Sequence, residues 1–289
     1  MFTNLNARAI GIKDLALPET IALAASTEFE GIDFSIVEAA ALADKNGTAH
    51  VRGLFLAANI RPGAWSLPVV WRDSEAQFRK ELAQLPGHAR LARNLGSDRA
   101  VAGIRPGSNE LTYAENFDLN VLRLQEIAAV LADSDCRLGF EFIAPLHQRS
   151  GYTHQFIYDL IGTRTLIAAT GASNLGILLD AYHLYTSGGS LADMDGLTGH
   201  DIVAVHVNDA TPNVPILEQQ DLVRHLPLAT GVIDLIGFMQ RLSAIGYDGP
   251  VTVEPFSKSL DDVAARNPKA AARITRVSLT ELWQAAGLT

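Results

Sequence analysis

Leu175-Gly176-Ile177-Leu178-Leu179-Asp180-Ala181-Tyr182-His183 is an apolar run that stops abruptly at a carboxylate, with an imidazole three residues further on. A run of this kind suits a strand buried on both faces, as in a parallel sheet. Asp180 and His183 would then lie at the C-terminal end of that strand, where parallel α/β folds keep their chemistry. Taken alone, Asp180 is better read as capping the next turn, and His183 as packing locally. The stretches on either side decide between the two readings.

Upstream, Arg137 to Ile143 reads as a strand, followed by a mostly helical stretch from His154 to Thr170. Downstream, Leu191 to Leu197 reads as a short helix, Ile202 to Val207 as a strand, Leu235 to Ile245 as a helix and Val251 to Glu254 as a strand. Val277 to Ala286 closes the chain as a helix. The N-terminal half keeps the same beat less clearly. Its strands are expected at Ala7 to Ile12, Phe29 to Ile36, Ile60 to Leu67 (interrupted by Pro62-Gly63) and Arg99 to Ile104. Helices are expected at Thr20 to Ala25, Val37 to Asp44, Val51 to Asn59, Ser74 to Leu95 with a break at Pro86-Gly87, and Leu119 to Ala132. Eight strands alternating with helices predict the α/β class and a single (β/α)8 TIM barrel over residues 1–289. A doubly wound sheet is the alternative, but no G-x-G-x-x-G follows an early strand. Asp209 to Gly231 is too long for an ordinary strand-to-helix connection, which marks it as functional.

The chain has 289 residues and a formal charge of -9. That balance argues against nucleic acid or an anionic membrane surface as a partner. The single cysteine, Cys136, rules out an intrachain disulfide and a cysteine-based metal cluster. No signal-peptide pattern opens the chain and no apolar run is long enough to span a bilayer, so a cytoplasmic protein is expected.

The strand ends carry the functional reading. The fifth strand contains Gly139-Phe140-Glu141, the sixth ends in Asp180, the seventh reads Val205-His206-Val207-Asn208-Asp209 and the eighth Val253-Glu254-Pro255. In a barrel those ends converge on one mouth, so Glu141, Asp180, His206 and Glu254 should meet. Three carboxylates in a partly desolvated pocket repel one another, and a divalent cation resolves the repulsion. The oxygen-rich set suits one Mn²⁺ or Mg²⁺ ion, and Zn²⁺ or Co²⁺ is compatible with the same donors. A substrate 2-hydroxycarbonyl group could fill the remaining positions, which would acidify the carbon beside the carbonyl. The expected intermediate is an enediolate, and the expected partner a small sugar, sugar phosphate or keto-sugar.

With Gly139-Phe140-Glu141, Leu179-Asp180-Ala181-Tyr182-His183, Val205-His206-Val207-Asn208-Asp209 and Gly246-Tyr247-Asp248-Gly249-Pro250-Val251-Thr252-Val253-Glu254, the chain resembles the xylose isomerase-like barrel superfamily, in its sugar phosphate isomerase/epimerase branch. The resemblance covers essentially the whole chain and is strongest from Arg137 to Phe256. It implies that Glu141 and Glu254 both bind metal and exchange the substrate proton, as in ketose 3-epimerases and hydroxypyruvate isomerases. It implies that His183 contacts substrate oxygens, and that Arg224, in the loop Arg224-His225-Leu226-Pro227, faces the substrate.

Two departures matter. Ketose 3-epimerases carry an acidic residue six positions beyond the first glutamate, where this chain has His147, a candidate substrate contact. The DNA-repair endonucleases of the fold add histidines on strands three and four, where this chain has Gly63-Ala64-Trp65-Ser66 and Gly103-Ile104-Arg105-Pro106. A trinuclear zinc site is not expected. Trp65 is a candidate wall for a sugar face, and Arg105 a candidate for a phosphate or carboxylate. The expected function is a metal-dependent isomerase or epimerase. The alternatives are a dehydratase or lyase of the inosose or dehydroshikimate type, and a non-catalytic sugar- or protein-binding barrel. The sequence leaves the oligomeric state open, and a homo-oligomer is compatible with it.

Overall fold

The computed structural model describes residues 1–288. Eight strands make a closed barrel: β1 (Phe2–Leu5), β2 (Gly31–Phe34), β3 (Arg61–Ser66), β4 (Arg99–Ile104), β5 (Arg137–Phe142), β6 (Leu175–Asp180), β7 (Ile202–Val207) and β8 (Pro250–Val253). Each pairs in parallel with its neighbours in sequence, and β8 closes on β1. The helices are α1 (Leu17–Ser26), α2 (Ile36–Asn46), α3 (Thr48–Ala58), α4 (Glu75–Leu95), α5 (Tyr113–Ala132), α6 (Leu146–Arg149), α7 (Leu160–Thr170), α8 (Ala181–Thr186), α9 (Leu235–Ala244), α10 (Lys258–Arg266) and α11 (Pro268–Ala285). The expected (β/α)8 barrel is the observed fold.

Strand alternation separates two layers. Phe140, Phe142, Ile177, Leu179, Val205 and Val207 belong to the large apolar layer between strands and helices. Ala64, Leu178 and Ala204 form a small apolar cluster of their own inside the barrel. The same inward series carries Glu141, Asp180 and His206 at the strand ends. A register irregularity makes this series work. Ile177 pairs with Ile202, but Leu178 pairs with Ala204, so Val203 is an extra residue, a β-bulge. Without it Asp180 would face Val205; with it Asp180 faces His206. The displaced Val203 fills space over Gly139, where an added Cβ would lie 2.8 Å from the valine Cβ. That contact explains the glycine in Gly139-Phe140-Glu141.

Several boundaries differ from the sequence reading. Ala7 to Ile12 is not the first strand: Arg8–Ile10 is a single 3₁₀ turn, and β1 lies upstream. Pro62-Gly63 does not interrupt β3, and α4 runs through Pro86 with Leu85 and Ala89 buried beside it. His154 starts no helix; His154–Gln155 pairs antiparallel with Gly107–Ser108. The helix α10 was not expected. The long Asp209 to Gly231 connection is an ordered strap. Asp209 accepts hydrogen bonds from the backbone N–H of Ala210, Thr230, Gly231 and Ile233, and its own N–H donates to His225 O at 2.8 Å.

Candidate metal centre

The four strand-end residues meet. Glu141, Asp180, His206 and Glu254 each offer one ligand atom, and these atoms lie within 4.8 Å of one another. His206 Nδ1 is 3.0 Å from Glu254 Oε2, 3.2 Å from Glu141 Oε1 and 4.0 Å from Asp180 Oδ2. Burial alone would depress the imidazole pKa, but Glu254 and Glu141 outweigh it and hold the ring well above its usual range. A proton on Nδ1 therefore offsets part of the carboxylate charge in the bare chain. Three carboxylates around one imidazole, with Asp180 buried beneath the other three, are a donor set suited to a divalent cation, and the residues fit that role.

Neighbouring residues hold the donors in place, as metal ligands require. Asn6 Nδ2 donates to Glu254 Oε1 at 2.9 Å. Asp180 caps α8 by accepting from Tyr182 N at 2.7 Å, so a capping role and a candidate ligand role fall on one carboxylate. Asn208 Nδ2 donates to Asp180 Oδ1 at 3.3 Å. Arg224 Nη1 donates to Asp180 Oδ2 at 2.8 Å, and Arg224 Nη2 to Asp221 Oδ1 at 2.6 Å. The guanidinium is clamped between Tyr182 and Phe256, with ring centroids 4.6 and 5.3 Å away. Burial would raise the pKa of Asp180, which is 0% exposed, but Arg224, His183 and His206 outweigh it and bring the carboxyl to about 2.

A cavity of about 700 Å³ opens above the cluster. Glu141, His206 and Glu254 line its floor on the β5–β8 side. Its opposite wall comes from the β1–β4 strand ends and loops and includes Asn6, Arg8, Asp33, Trp71 and Arg72. None of the residues expected to bind substrate lines this cavity. Trp65 is 0% exposed because it alternates with the inward-facing Ala64 and so points into the outer layer; Trp71, in the following loop, takes the place at the wall. Arg224 is 3% exposed and turned toward Asp180, so it supports a candidate ligand and does not line the cavity. His183, 1% exposed, lies behind Asp180 with Nε2 3.1 Å from Arg224 Nη2. His147 is exposed on α6, and Arg105 is exposed on the rim beyond β4.

Asp33 was missed, although it follows the same rule as the others: it sits at the C-terminal end of β2. It accepts from Asn4 Nδ2 at 2.7 Å, Ala64 N at 2.9 Å and Thr252 Oγ1 at 3.1 Å. Burial, opposed by His206 and these donors, raises its pKa from 3.8 to about 6. A raised native pKa means the folded chain holds this proton more tightly than the unfolded chain. The associated stability is fully present below 3.8 and is lost as pH rises through about 6. Asp33→Asn should therefore stabilise the metal-free protein at pH 8 by up to about 3 kcal/mol, with the gain disappearing toward pH 4. Chemical denaturation of both proteins at the two pH values checks this. An equal gain at both would mean that packing, and not charge, is responsible.

The family described as xylose isomerase-like TIM barrel matches residues 21–279. The chain is 23% identical over 231 residues to an inosose isomerase of Halalkalibacterium halodurans, covering 80% of this chain and 79% of that one. It is 28% identical over 192 residues to a 3-dehydroshikimate dehydratase of Pseudomonas aeruginosa, covering 65% of this chain and 28% of that one. Among solved structures, a xylose isomerase domain protein from Alicyclobacillus acidocaldarius superposes with a TM-score of 0.89 at 28% identity over 99% of both chains. The IolI protein with a bound zinc atom superposes at 0.80 over 98% of both chains; at 17% identity this shows a shared fold. Sequence match, closed barrel and strand-end cluster agree: the chain belongs to the xylose isomerase-like TIM barrel family.

Proposed function

We propose that the protein is a divalent-metal-dependent isomerase or epimerase of a small sugar, sugar phosphate or keto-sugar, working by proton transfer through an enediolate. The carrying observation is the position of two of the three carboxylates of the cluster, Glu141 and Glu254, at the floor of a sugar-sized cavity. The donors favour Mn²⁺ or Mg²⁺, and the zinc-bound IolI protein shows that a barrel of this fold also accepts zinc. When bound, the cation would polarise the substrate carbonyl and acidify the adjacent C–H.

The chain's own residues supply the proton handling. Glu141 and Glu254 reach the cavity from β5 and from the end of β8, on either side of His206, so they can address a substrate carbon from different directions. Asn6 engages Glu254 Oε1, and His206 engages Glu254 Oε2 and Glu141 Oε1. Glu141 Oε2 has no protein hydrogen-bond partner among the described residues, which makes it the more available base. Glu254 is then placed to return the proton. A dehydratase is the second reading, favoured by the likeness to the 3-dehydroshikimate dehydratase. It begins with the same proton abstraction and then expels a β-hydroxyl.

Turnover in D2O by the metal-loaded protein tests the reading. Mass spectrometry should find solvent deuterium on the carbon beside the carbonyl, in a product of otherwise unchanged formula. Loss of water from the product would establish the dehydratase. Complete conversion with no deuterium uptake would count against proton exchange with solvent.

A further inference from the structure

The four candidate ligands all come from β5–β8 strand ends, so the cavity extends away from them across β1–β4. There the wall is cationic, in a protein of net charge -9: it contains Arg8, Lys13 and Arg72. The two carboxylates on the same side are already engaged. Glu38 Oε1 accepts from Leu17 N at 2.6 Å, and Asp33 accepts from Asn4, Ala64 and Thr252.

Of the partly or fully buried arginines, Arg72, Arg149 and Arg276 have no carboxylate partner among the described residues, and of these three only Arg72 lines the cavity. Arg99, Arg123, Arg137 and Arg224 each contact a carboxylate. Arg72 has no carboxylate within 4.0 Å among the described residues; its one hydrogen bond runs from Nη1 to Gly103 O at 3.1 Å, and Nε is enclosed without a partner. Burial, with the like charge of Arg105 adding to it, pushes Arg72 down from its usual range. The side chain is nonetheless held in place. It lies over the Trp71 ring at 4.6 Å, and that ring is fixed by Nε1 donating to Asn120 Oδ1 at 2.7 Å and by Arg123 Nη1 donating to Trp71 O at 2.6 Å. A guanidinium ordered on an aromatic platform, facing a cavity and lacking an anion, is arranged to receive one.

We propose that the substrate carries an oxyanion, a carboxylate or a phosphate, at the end remote from its reacting carbons, and that Arg72 is the principal anchor for it, with Arg8 and Lys13 adding to the field. The inference rests on the isomerase or epimerase reading for the reacting end, but the anion site itself does not depend on it. A neutral polyol would leave Arg72 unpaired in the complex, which disfavours such substrates.

The test has two parts. In the first, the metal-loaded wild type and Arg72→Met are titrated calorimetrically with inorganic phosphate and with succinate. Binding should weaken at least about tenfold in the variant, and Arg72→Lys should recover part of it. In the second, substrate pairs differing in the anion are compared: ketopentoses against their 5-phosphates, and inososes against dehydroshikimate. The wild type should prefer the anionic member at least about tenfold in kcat/KM, and that ratio should collapse in Arg72→Met, mainly through KM. Preference within the first pair identifies phosphate, and within the second, carboxylate. A preference for neutral members, an unchanged ratio in the variant, or anion binding that is absent or equal in both proteins would overturn the inference while leaving the isomerase reading intact. Anion binding that depends on Arg72 without turnover of any pair would support the anion site and sink the isomerase reading instead.

Discussion

Glu141→Gln and Glu254→Gln should each lower turnover of the metal-loaded enzyme by at least about a hundredfold. A positioned general base contributes roughly 10²- to 10⁴-fold, and a glutamine cannot accept the proton. Each substitution also removes one of the three negative charges facing the cation, so metal affinity should fall as well. The two effects separate if metal content is measured beside activity and turnover is read at saturating metal. Loss of activity at full occupancy is the signature of a base; loss that saturating metal restores is the signature of a ligand alone. The hydrogen bonds favour Glu141 as the more sensitive position for the first proton transfer, because Oε2 is free there, whereas Asn6 and His206 occupy both oxygens of Glu254. Solvent deuterium exchange should therefore fall furthest in Glu141→Gln. Near-normal turnover in either variant at native metal content would remove that residue from the proton path.

Arg224→Ala should destabilise the metal-free protein by about 3–5 kcal/mol, the usual effect of removing one partner from a buried ion pair. Asp180 is fully buried, and Arg224 is foremost among the charges that hold its carboxyl at about 2. A depressed native pKa gives stability that is present above 3.8 and is lost as pH falls through about 2. Without the guanidinium that depression should shrink, and acid unfolding should begin at higher pH. Added Mn²⁺ or Mg²⁺ should recover part of the loss, because a cation bound at the cluster supplies Asp180 with another counter-charge and binds only the folded chain. Denaturant titrations with and without metal read both quantities. A deficit below about 1 kcal/mol would be the size of an exposed pair, and would mean that Asp180 does not depend on Arg224.

The same two residues show what the sequence reveals and what it hides. Asp180 and its three companions were legible because β5, β6 and β7 are nearly uninterrupted apolar runs, and each run or the residue after it delivers one polar side chain at the mouth. β1 was not legible. Phe2-Thr3-Asn4-Leu5 has two polar residues at its centre, and Asn4 joins a polar network with Asp33 and Thr252 inside the barrel, so no apolar run marks the strand. The bulge at Val203, which aims His206 at Asp180, leaves no trace in composition. Arg224 was read as facing substrate because its loop resembles one that does; its true orientation depends on Asp221, Tyr182 and Phe256, which only the folded chain brings around it. Trp65 was the wrong tryptophan for a similar reason: strand alternation sends it outward, and Trp71, in a loop with no periodicity to read, reaches the cavity.

The placement of the four candidate ligands on β5–β8, with the far wall on the β1–β4 strand ends and loops, has a consequence for how such a chain can change. One cut within α5 divides it into a segment that would perform the reaction and a segment that would choose the molecule. At the site the seam is crossed by the Asn6–Glu254 bond, the Asn4–Asp33–Thr252 network, the Phe256 N to Ala9 O bond and the Ala64–Leu178–Ala204 cluster. A chimera that keeps those side chains while taking its first half from a relative of different preference should exchange one substrate for another without rebuilding the ligand cluster. Substitutions in the second half should instead alter the reaction for every substrate alike. Selectivity and reaction type can thus be inherited, and engineered, as separate halves of one polypeptide.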